Sequence, residues 1–412
     1  MSEPFDAAVV GGGMVGAVAA VALRRQGLSV GLIERGRPPE GPGQPGDPER
    51  VSAVSEGSRR ILTDLGLWPA IADSEPAAIE TIEVTDGGRG GRVLMDRDEA
   101  GVDALGYVVA NRRIVASAWE AVRADPGIVV HAPAGVADWQ WQDRGVRLQL
   151  EGEGGGQTLS TRLVIGADSE HSATRAAARI GMRGWHHNRY ALVATVETER
   201  PLAGRAFERF LPEGPLAFLP LGGATASIVW TLTPSAANRA LNWDQATLLS
   251  HIQDRFGPAL GGLQHVGGRA TFPLALRLAR RFTEKRTALV GNAAHLLHPV
   301  AGQGLNLGLR DVQALAEEAG AARSCDWDPG NTAVLNRYER ARWGDTARVM
   351  AFTEGLNRLF ANDWAPAVGL RQLGLSVVGQ SRPLKRILMN QAMGLAGRDR
   401  HTQGIGNGKV SR

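Results

Sequence analysis

The sequence predicts an α/β protein in three parts: a discontinuous nucleotide-binding domain on a parallel sheet, a second and mostly antiparallel-sheet domain, and a helical C-terminal tail. Three observations predict it. The chain opens strand–turn–helix–strand, and buried strand-like runs return at Arg162–Ile165 and Thr287–Val290. Between these, from about Tyr190 to Phe272, lie several short strand-like runs such as Ala191–Val196 and Ala226–Leu232. At 412 residues the chain is too long for one simple core.

Phe5–Val10 is the first apolar run, Gly11–Gly16 the turn, and Met14–Gln26 has helical composition, with Gly27 where a C-cap glycine belongs. Leu28–Ile33 is the second apolar run, and it ends at Glu34. Gly36–Pro48 is dominated by proline and glycine and reads as an irregular loop. Helical periodicity is expected over Val51–Leu65, strand alternation over Ile79–Val109, and a helix over Asn111–Ala124. A long helix is expected over Gly304–Ala322, and the tail from Leu335 to Ala396 reads as mostly helical. These readings place the nucleotide-binding domain at 1–78, 110–182 and 284–365, the substrate domain at 79–109 and 183–283, and the tail at 366–412.

Composition removes several classes of function. Hydrophobic residues make up 43% and charged residues 21%, an ordinary globular balance. A formal charge of +4 is too small and dispersed to argue for nucleic acid, although it suits an anionic surface or an acidic cofactor. The single cysteine, Cys325, allows neither an internal disulfide nor a cysteine metal cluster, so a reducing, cytoplasmic setting is expected. No signal-like segment precedes Phe5, and no apolar run approaches the ~18 residues needed to cross a bilayer. Any membrane contact is then expected to be peripheral, at the inner face. No serine sits in a G-x-S-x-G elbow, which leaves a hydrolase without support.

Three motifs carry the chemistry. Gly11-Gly12-Gly13-Met14-Val15-Gly16 is a G-x-G-x-x-G between strand and helix, the Rossmann-like arrangement. Gly11 permits the tight turn, Gly13 lets the backbone approach a pyrophosphate, and Gly16 lets helix and strand pack closely. Glu34, 18 residues after Gly16, stands where a carboxylate accepts hydrogen bonds from a ribose diol. The second motif is Leu163-Val164-Ile165-Gly166-Ala167-Asp168, followed by Ser169, Ser172 and Arg175. By itself Asp168 reads as a helix N-cap. The third runs from Thr287 through Gly291-Asn292-Ala293-Ala294-His295 and His298-Pro299 to Gly302-Gln303-Gly304-Leu305-Asn306. There a glycine-punctuated loop opens a helix whose N–H groups suit the pyrimidine edge of a flavin.

Taken together these motifs resemble the single-component flavoprotein aromatic hydroxylases of the p-hydroxybenzoate hydroxylase fold, and among them the ubiquinone-biosynthesis hydroxylases. The resemblance runs from Phe5 to about Gly397 and includes Glu208-Arg209-Phe210-Leu211-Pro212-Glu213-Gly214-Pro215-Leu216-Ala217, a segment without general catalytic logic. It implies FAD as cofactor, with Gly11, Gly13, Met14, Val15 and Gly16 at the pyrophosphate, and Glu34 and Arg35 at the adenosine ribose. Arg50 is placed near the phosphates, Arg112 near the ribityl chain, Asp168 between FAD and the nicotinamide donor, and Asn292 on the ribityl hydroxyls. Pro299, Gly302, Gln303, Gly304, Leu305 and Asn306 are placed around the isoalloxazine ring. The implied activity is hydroxylation of a prenylated phenol with O2 through a flavin C4a-hydroperoxide, NADH or NADPH acting as transient donor. Other quinone-biosynthesis proteins are implied as partners.

Two departures stand out. Ser169 takes the place of the family's usual glycine, a cost if that backbone needs positive φ, and Asn292 takes the place of an aspartate. Three alternatives remain open at this point: a hydroxylase of soluble phenols, an isoprenoid reductase of the same fold, and a non-catalytic FAD-binding member of a quinone-biosynthesis complex. His295 and His298 lack a carboxylate at ligand spacing and are expected to serve as packed, hydrogen-bonded loop residues rather than metal ligands. Trp230 is expected to pack, with a pocket wall as the less favoured role.

Overall fold

The computed structural model describes residues 3–39, 50–87, 90–152, 156–296, 303–360, 374–375 and 377–395. Its first sheet holds five parallel strands in the order Thr287–Leu289, Gln157–Gly166, Phe5–Val10, Val30–Ile33 and Ile128–His131. The strands Phe5–Val10, Val30–Ile33 and Thr287–Leu289 are almost wholly buried, as expected of apolar runs covered on both faces. Thr283–Glu284 edges the sheet, and Ala134–Gln142 and Gly145–Gly152 extend it through antiparallel pairing with Gln157–Gly166. The helix Met14–Arg25 leaves the opening strand, and Gly27 (φ 81°) follows its C-cap residue. Packed on it are the helices Asn111–Ala124 and Gln303–Ser324, which close a core that includes Val18, Leu23, Ile165, Leu289 and Leu315.

A second sheet runs His295–Leu296, Leu263–Ala279, Met182–Thr198, Thr225–Leu232, Gly214–Gly222, Arg205–Leu211, Thr81–Thr85, Arg92–Asp96. Neighbours are antiparallel except Arg205–Leu211 beside Thr81–Thr85. Its two longest strands reach 17 residues each, longer than the short runs visible in the sequence. Register shifts between His186 and Arg189 and between Ala194 and Val196 break the alternation, so continuous strands read as fragments. Two helices absent from the sequence reading, Pro234–Asn242 and Gln245–Phe256, cover this sheet. Their caps were legible: the side chains of Thr233 and Asp244 accept from the Ala236 and Thr247 N–H groups at 3.3 and 2.7 Å. Trp230 is buried in this core with the Arg255 guanidinium 5.0 Å from its ring, so it is a packing residue.

Helical structure over Val51–Leu65 is only half right. Val51–Ser55 is a strand, paired antiparallel with Gly106–Ala110, and the helix is Glu56–Asp64. Val51 and Val54 favour extended backbone, and the Ser55 hydroxyl accepts from the Ser58 N–H at 3.4 Å, which fixes where the helix begins. Toward the C-terminus the helices are Thr332–Phe360 and Arg382–Ala392. Among the described residues no helix is long and apolar enough to cross a membrane.

Candidate functional site

Three backbone hydrogen bonds bring the three motifs to one sheet edge. Gly11 N donates to Ile33 O at 2.8 Å, Ala167 N to Val10 O at 2.8 Å, and Val290 N to Gly166 O at 3.0 Å. Because all four strands are parallel, their C-terminal ends emerge side by side, where open α/β sheets bind ligands. Val15 crosses between motifs: its side chain packs against Gly291, and a Cβ at Gly308 would lie 2.9 Å from Val15 Cγ2.

The glycines of the turn have separate reasons. Gly11 has φ 102°, and a Cβ there would lie 2.6 Å from Ala167 O. A Cβ on Gly16 would lie 1.8 Å from Gly11 O, so no side chain fits. Gly13 is different. Its backbone is extended (φ −68°, ψ −173°), and a Cβ would meet nothing within 4 Å. The fold itself therefore does not require glycine at 13, but an external group approaching the N-terminus of Met14–Arg25 would. Beneath the turn, Trp119 Nε1 donates to Gly12 O at 2.8 Å.

Glu34 accepts from Gly12 N at 2.5 Å through Oε2 and from Gly36 N at 2.7 Å through Oε1. Each oxygen keeps a further lone pair, so hydroxyls can still donate to it. Arg35 is exposed beside it, and Arg112 is half-buried. Asn111 N donates to Arg50 O at 2.8 Å, which brings Arg50 next to the helix carrying Arg112. The Arg50 guanidinium lies 4.9 Å from the Phe272 ring.

Asp168 does not sit at the N-cap position of the helix Ala173–Ala177; Ser172 does, accepting from Arg175 N at 2.9 Å. The Asp168 carboxylate instead braces the loop, accepting from Ser172 Oγ at 2.5 Å, Thr174 N at 2.9 Å and Thr174 Oγ1 at 3.1 Å. Ser169 has φ 68°, the left-handed region, which costs a non-glycine residue about 1 kcal/mol. Arg175 joins the second motif to the third, donating to Glu170 O at 2.7 Å and Ala293 O at 3.0 Å.

In the third motif Gly291 has φ 58° and Asn292 is exposed at the strand end. His295 is fully buried, its Nε2 2.6 Å from Asp311 Oδ2. Asp311 also accepts from Gly291 N at 3.0 Å and from Arg342 Nε at 2.7 Å. Burial raises the Asp311 carboxyl, but the His295 and Arg342 charges and hydrogen bonds outweigh it and hold it below the ordinary carboxylate range. Arg342 continues to Asp345 at 2.7 Å, and Arg310 reaches Asp345 at 3.0 Å. This network locks the Gly291–His295 loop onto two helices, and no local motif marks Arg342 as part of it. Among the described residues no cluster of His, Cys, Asp and Glu could hold a metal ion. Pro299, Gly302 and His298 lie outside the described residues.

The helix Gln303–Ser324 begins at the mouth of an apolar cavity of about 200 Å3. A Cβ on Gly304 would meet nothing within 4 Å, while Leu305 packs toward the core. Asn306 clamps the neighbouring strand: Ser55 N donates to its Oδ1 at 2.9 Å, and its Nδ2 donates to Ala53 O at 2.8 Å. Gln303 and Asn306 form one wall of the cavity. Strands of the second sheet form another, and Phe352, Phe360, Leu388 and Ala392 of the C-terminal helices cover it.

Residues 5–353 match the family model described as FAD binding domain. The chain is 40% identical over 390 residues to ubiquinone hydroxylase UbiL of Rhodospirillum rubrum, covering 94% of this chain and 89% of that protein. It is 33% identical to the 3-demethoxyubiquinol 3-hydroxylase of Escherichia coli, covering 96% of this chain and 100% of that protein. Among solved structures, p-nitrophenol 4-monooxygenase PnpA of Pseudomonas putida superposes with a TM-score of 0.77 at 20% identity, covering 97% of this chain and 100% of that one. At that identity the superposition speaks for the fold.

Proposed function

Since the chain belongs to the FAD-binding-domain family matched over residues 5–353, we propose that it hydroxylates the aromatic ring of a prenylated phenol in ubiquinone biosynthesis. The observation that carries this reading is the meeting of three motif-bearing strand ends at one sheet edge, with the third motif running on to Gln303 and Asn306 in the wall of an apolar cavity. The open approach at Gly13, the Met14–Arg25 helix N-terminus and the Glu34 carboxylate fit the FAD pyrophosphate and adenosine ribose. Arg50 and Arg112 would hold the phosphates and ribityl chain, Asn292 the ribityl hydroxyls, and Gln303 and Gly304 the ring at the helix start. Asp168, whose carboxylate already shapes its own loop, would position the motif more than touch the cofactor. Pro299 and Gly302 keep the ring-side place the resemblance gives them. We divide the chain accordingly, with 79–109 and 183–283 as the substrate domain.

Bound FAD supplies the redox chemistry, taking electrons from NADH or NADPH and delivering one atom of O2 to the ring. The protein's part is to hold the ring at the helix start and keep water from it. The apolar walls Ile79, Val84, Phe210, Leu219 and Phe352 do the latter. The test is to purify the protein, release FAD by denaturation, and measure O2 uptake with a 2-prenylphenol. Phenol-dependent uptake and a product one oxygen atom heavier are expected; phenol-independent oxidation of the nicotinamide, or a product with a reduced double bond, would sink the reading.

The reading extends to a peripheral membrane contact. On the helix Arg382–Ala392, Leu388 and Ala392 line the cavity, while Leu384 and Ile387 are exposed, as are Arg382 and Arg386. Apolar and basic groups on one surface suit an anionic bilayer. The protein is expected to sediment with phosphatidylglycerol-containing vesicles, and Leu384→Glu with Ile387→Glu to weaken that by about tenfold or more. Wild-type protein left in the supernatant would end this part of the proposal.

A further inference from the structure

We infer that the carboxylate of Glu208 accepts the proton of the substrate's phenolic hydroxyl as the ring is attacked, a role that rests on the hydroxylase reading above. The placement comes from the strand Arg205–Leu211, on which Ala206, Phe207, Glu208 and Phe210 line the cavity while Arg209 turns away, its guanidinium 5.1 Å from the Phe256 ring. Glu208 is the one ionisable side chain among the described residues of the cavity wall. The other polar groups there are engaged or unsuited. Asn306 is clamped to Ser55 N and Ala53 O, the Ser55 hydroxyl meets Ser58 at 3.2 Å, and Gln303 has a partner of its own. Thr231 is neutral and takes no proton.

The Glu208 carboxyl makes no hydrogen bond or ion pair with the described residues, and no charged group faces it from the surrounding elements. Arg205, on the same strand, reaches toward Glu83 at 3.8 Å. The Glu208 side chain borders the open cavity, so the residue is only half-buried by surface, yet protein encloses it deeply enough that burial pushes its carboxyl up to about 7. A base with that value near neutral pH is matched to taking and returning a proton. An unpartnered carboxylate in a mostly apolar wall also fixes which way a phenol enters, since its O–H is the one donor the ring carries.

The step balances. The phenolic O–H bond breaks, its proton passes to a Glu208 oxygen, and the electron pair left on the phenolic oxygen feeds the ring as it receives oxygen. The ring then carries a carbonyl at that position. The attacked carbon then loses its hydrogen as a proton, which neutralises the negative charge left on the oxygen donor, and as aromaticity returns Glu208 gives its proton back to the carbonyl oxygen. Glu208 ends as it began, and the oxidant is the one the hydroxylase reaction supplies.

The test compares wild type, Glu208→Gln and Glu208→Asp as FAD-loaded enzymes acting on a 2-prenylphenol. For wild type, kcat/KM should rise through about pH 7. Glu208→Gln should lower it by about 100-fold and abolish that limb, Glu208→Asp should recover part of it, and FAD content should stay unchanged. The apoproteins give a second readout. A carboxyl raised in the folded state favours folding while protonated and loses that advantage as pH climbs from its ordinary value of 4.5 to about 7. The Tm of Glu208→Gln should therefore gain on wild type across that interval. A Gln variant that keeps the wild-type rate or the same pH limb overturns the assignment alone. A wild-type enzyme inert toward the phenol overturns it together with the hydroxylase reading.

Discussion

Gly13→Ala leaves the apoprotein's stability within about 1 kcal/mol of wild type but weakens FAD binding tenfold or more, whereas Gly16→Val costs about 3 kcal/mol and leaves no bound FAD. The two glycines are three residues apart, and the contrast follows from what surrounds them. At Gly16 a side chain would begin 1.8 Å from Gly11 O, a contact that only movement of the turn can relieve. At Gly13 the backbone is already acceptable to alanine and the space is empty. The unfolded-state gain from removing a glycine there offsets the poorer cap that alanine makes. What alanine does occupy is the approach to the helix N-terminus, where a pyrophosphate would lie. Urea unfolding of the apoproteins and FAD titration separate the two effects. Gly13→Ala protein that binds FAD like wild type would move the phosphates away from this turn.

Asp311→Ala is the substitution expected to damage the fold most, by about 3–5 kcal/mol, because it leaves buried Arg342 with Asp345 as its one carboxylate and removes the acceptor for His295 and Gly291 N. Its effect on the cofactor is indirect: the released Gly291–His295 loop carries Asn292, so FAD affinity should fall too. The pH dependence has a definite sign. The Asp311 carboxyl is held below its unfolded value, so its stabilisation is present above about pH 4 and is lost as pH falls through the folded value. Wild type should therefore be acid-sensitive below about pH 4, and Asp311→Asn should show a flatter acid limb in urea titrations. Equal acid limbs would mean that the network's charge is carried elsewhere.

Four of the parallel sheet's five strands are plain in the sequence because apolar runs and glycine turns are local signals; Ile128–His131, short and partly exposed, is not. The second sheet was harder. Bulged 17-residue strands look like pieces, and Val51–Ser55 was drowned by the helical period that follows it. Of the site, the glycine turn and Glu34 were readable because their spacing is set by one βαβ unit. Arg342 and Glu208 were not: each gains its meaning from partners or walls contributed by distant segments. Ser169 lies between these cases, since the sequence raised the question of positive φ and the backbone at 68° answered it.

Val15 has a consequence for how such a chain can change over generations. Its two methyl groups lie against Gly291, and a Cβ at Gly308 would come 2.9 Å from one of them, so one valine leaves room for nothing larger at either position. The first motif and the third are therefore not interchangeable parts. A graft carrying a bulkier residue at 15, or an alanine at 308, would have to be accompanied by its counterpart some 290 positions away, so lineages should inherit the two motifs as a pair.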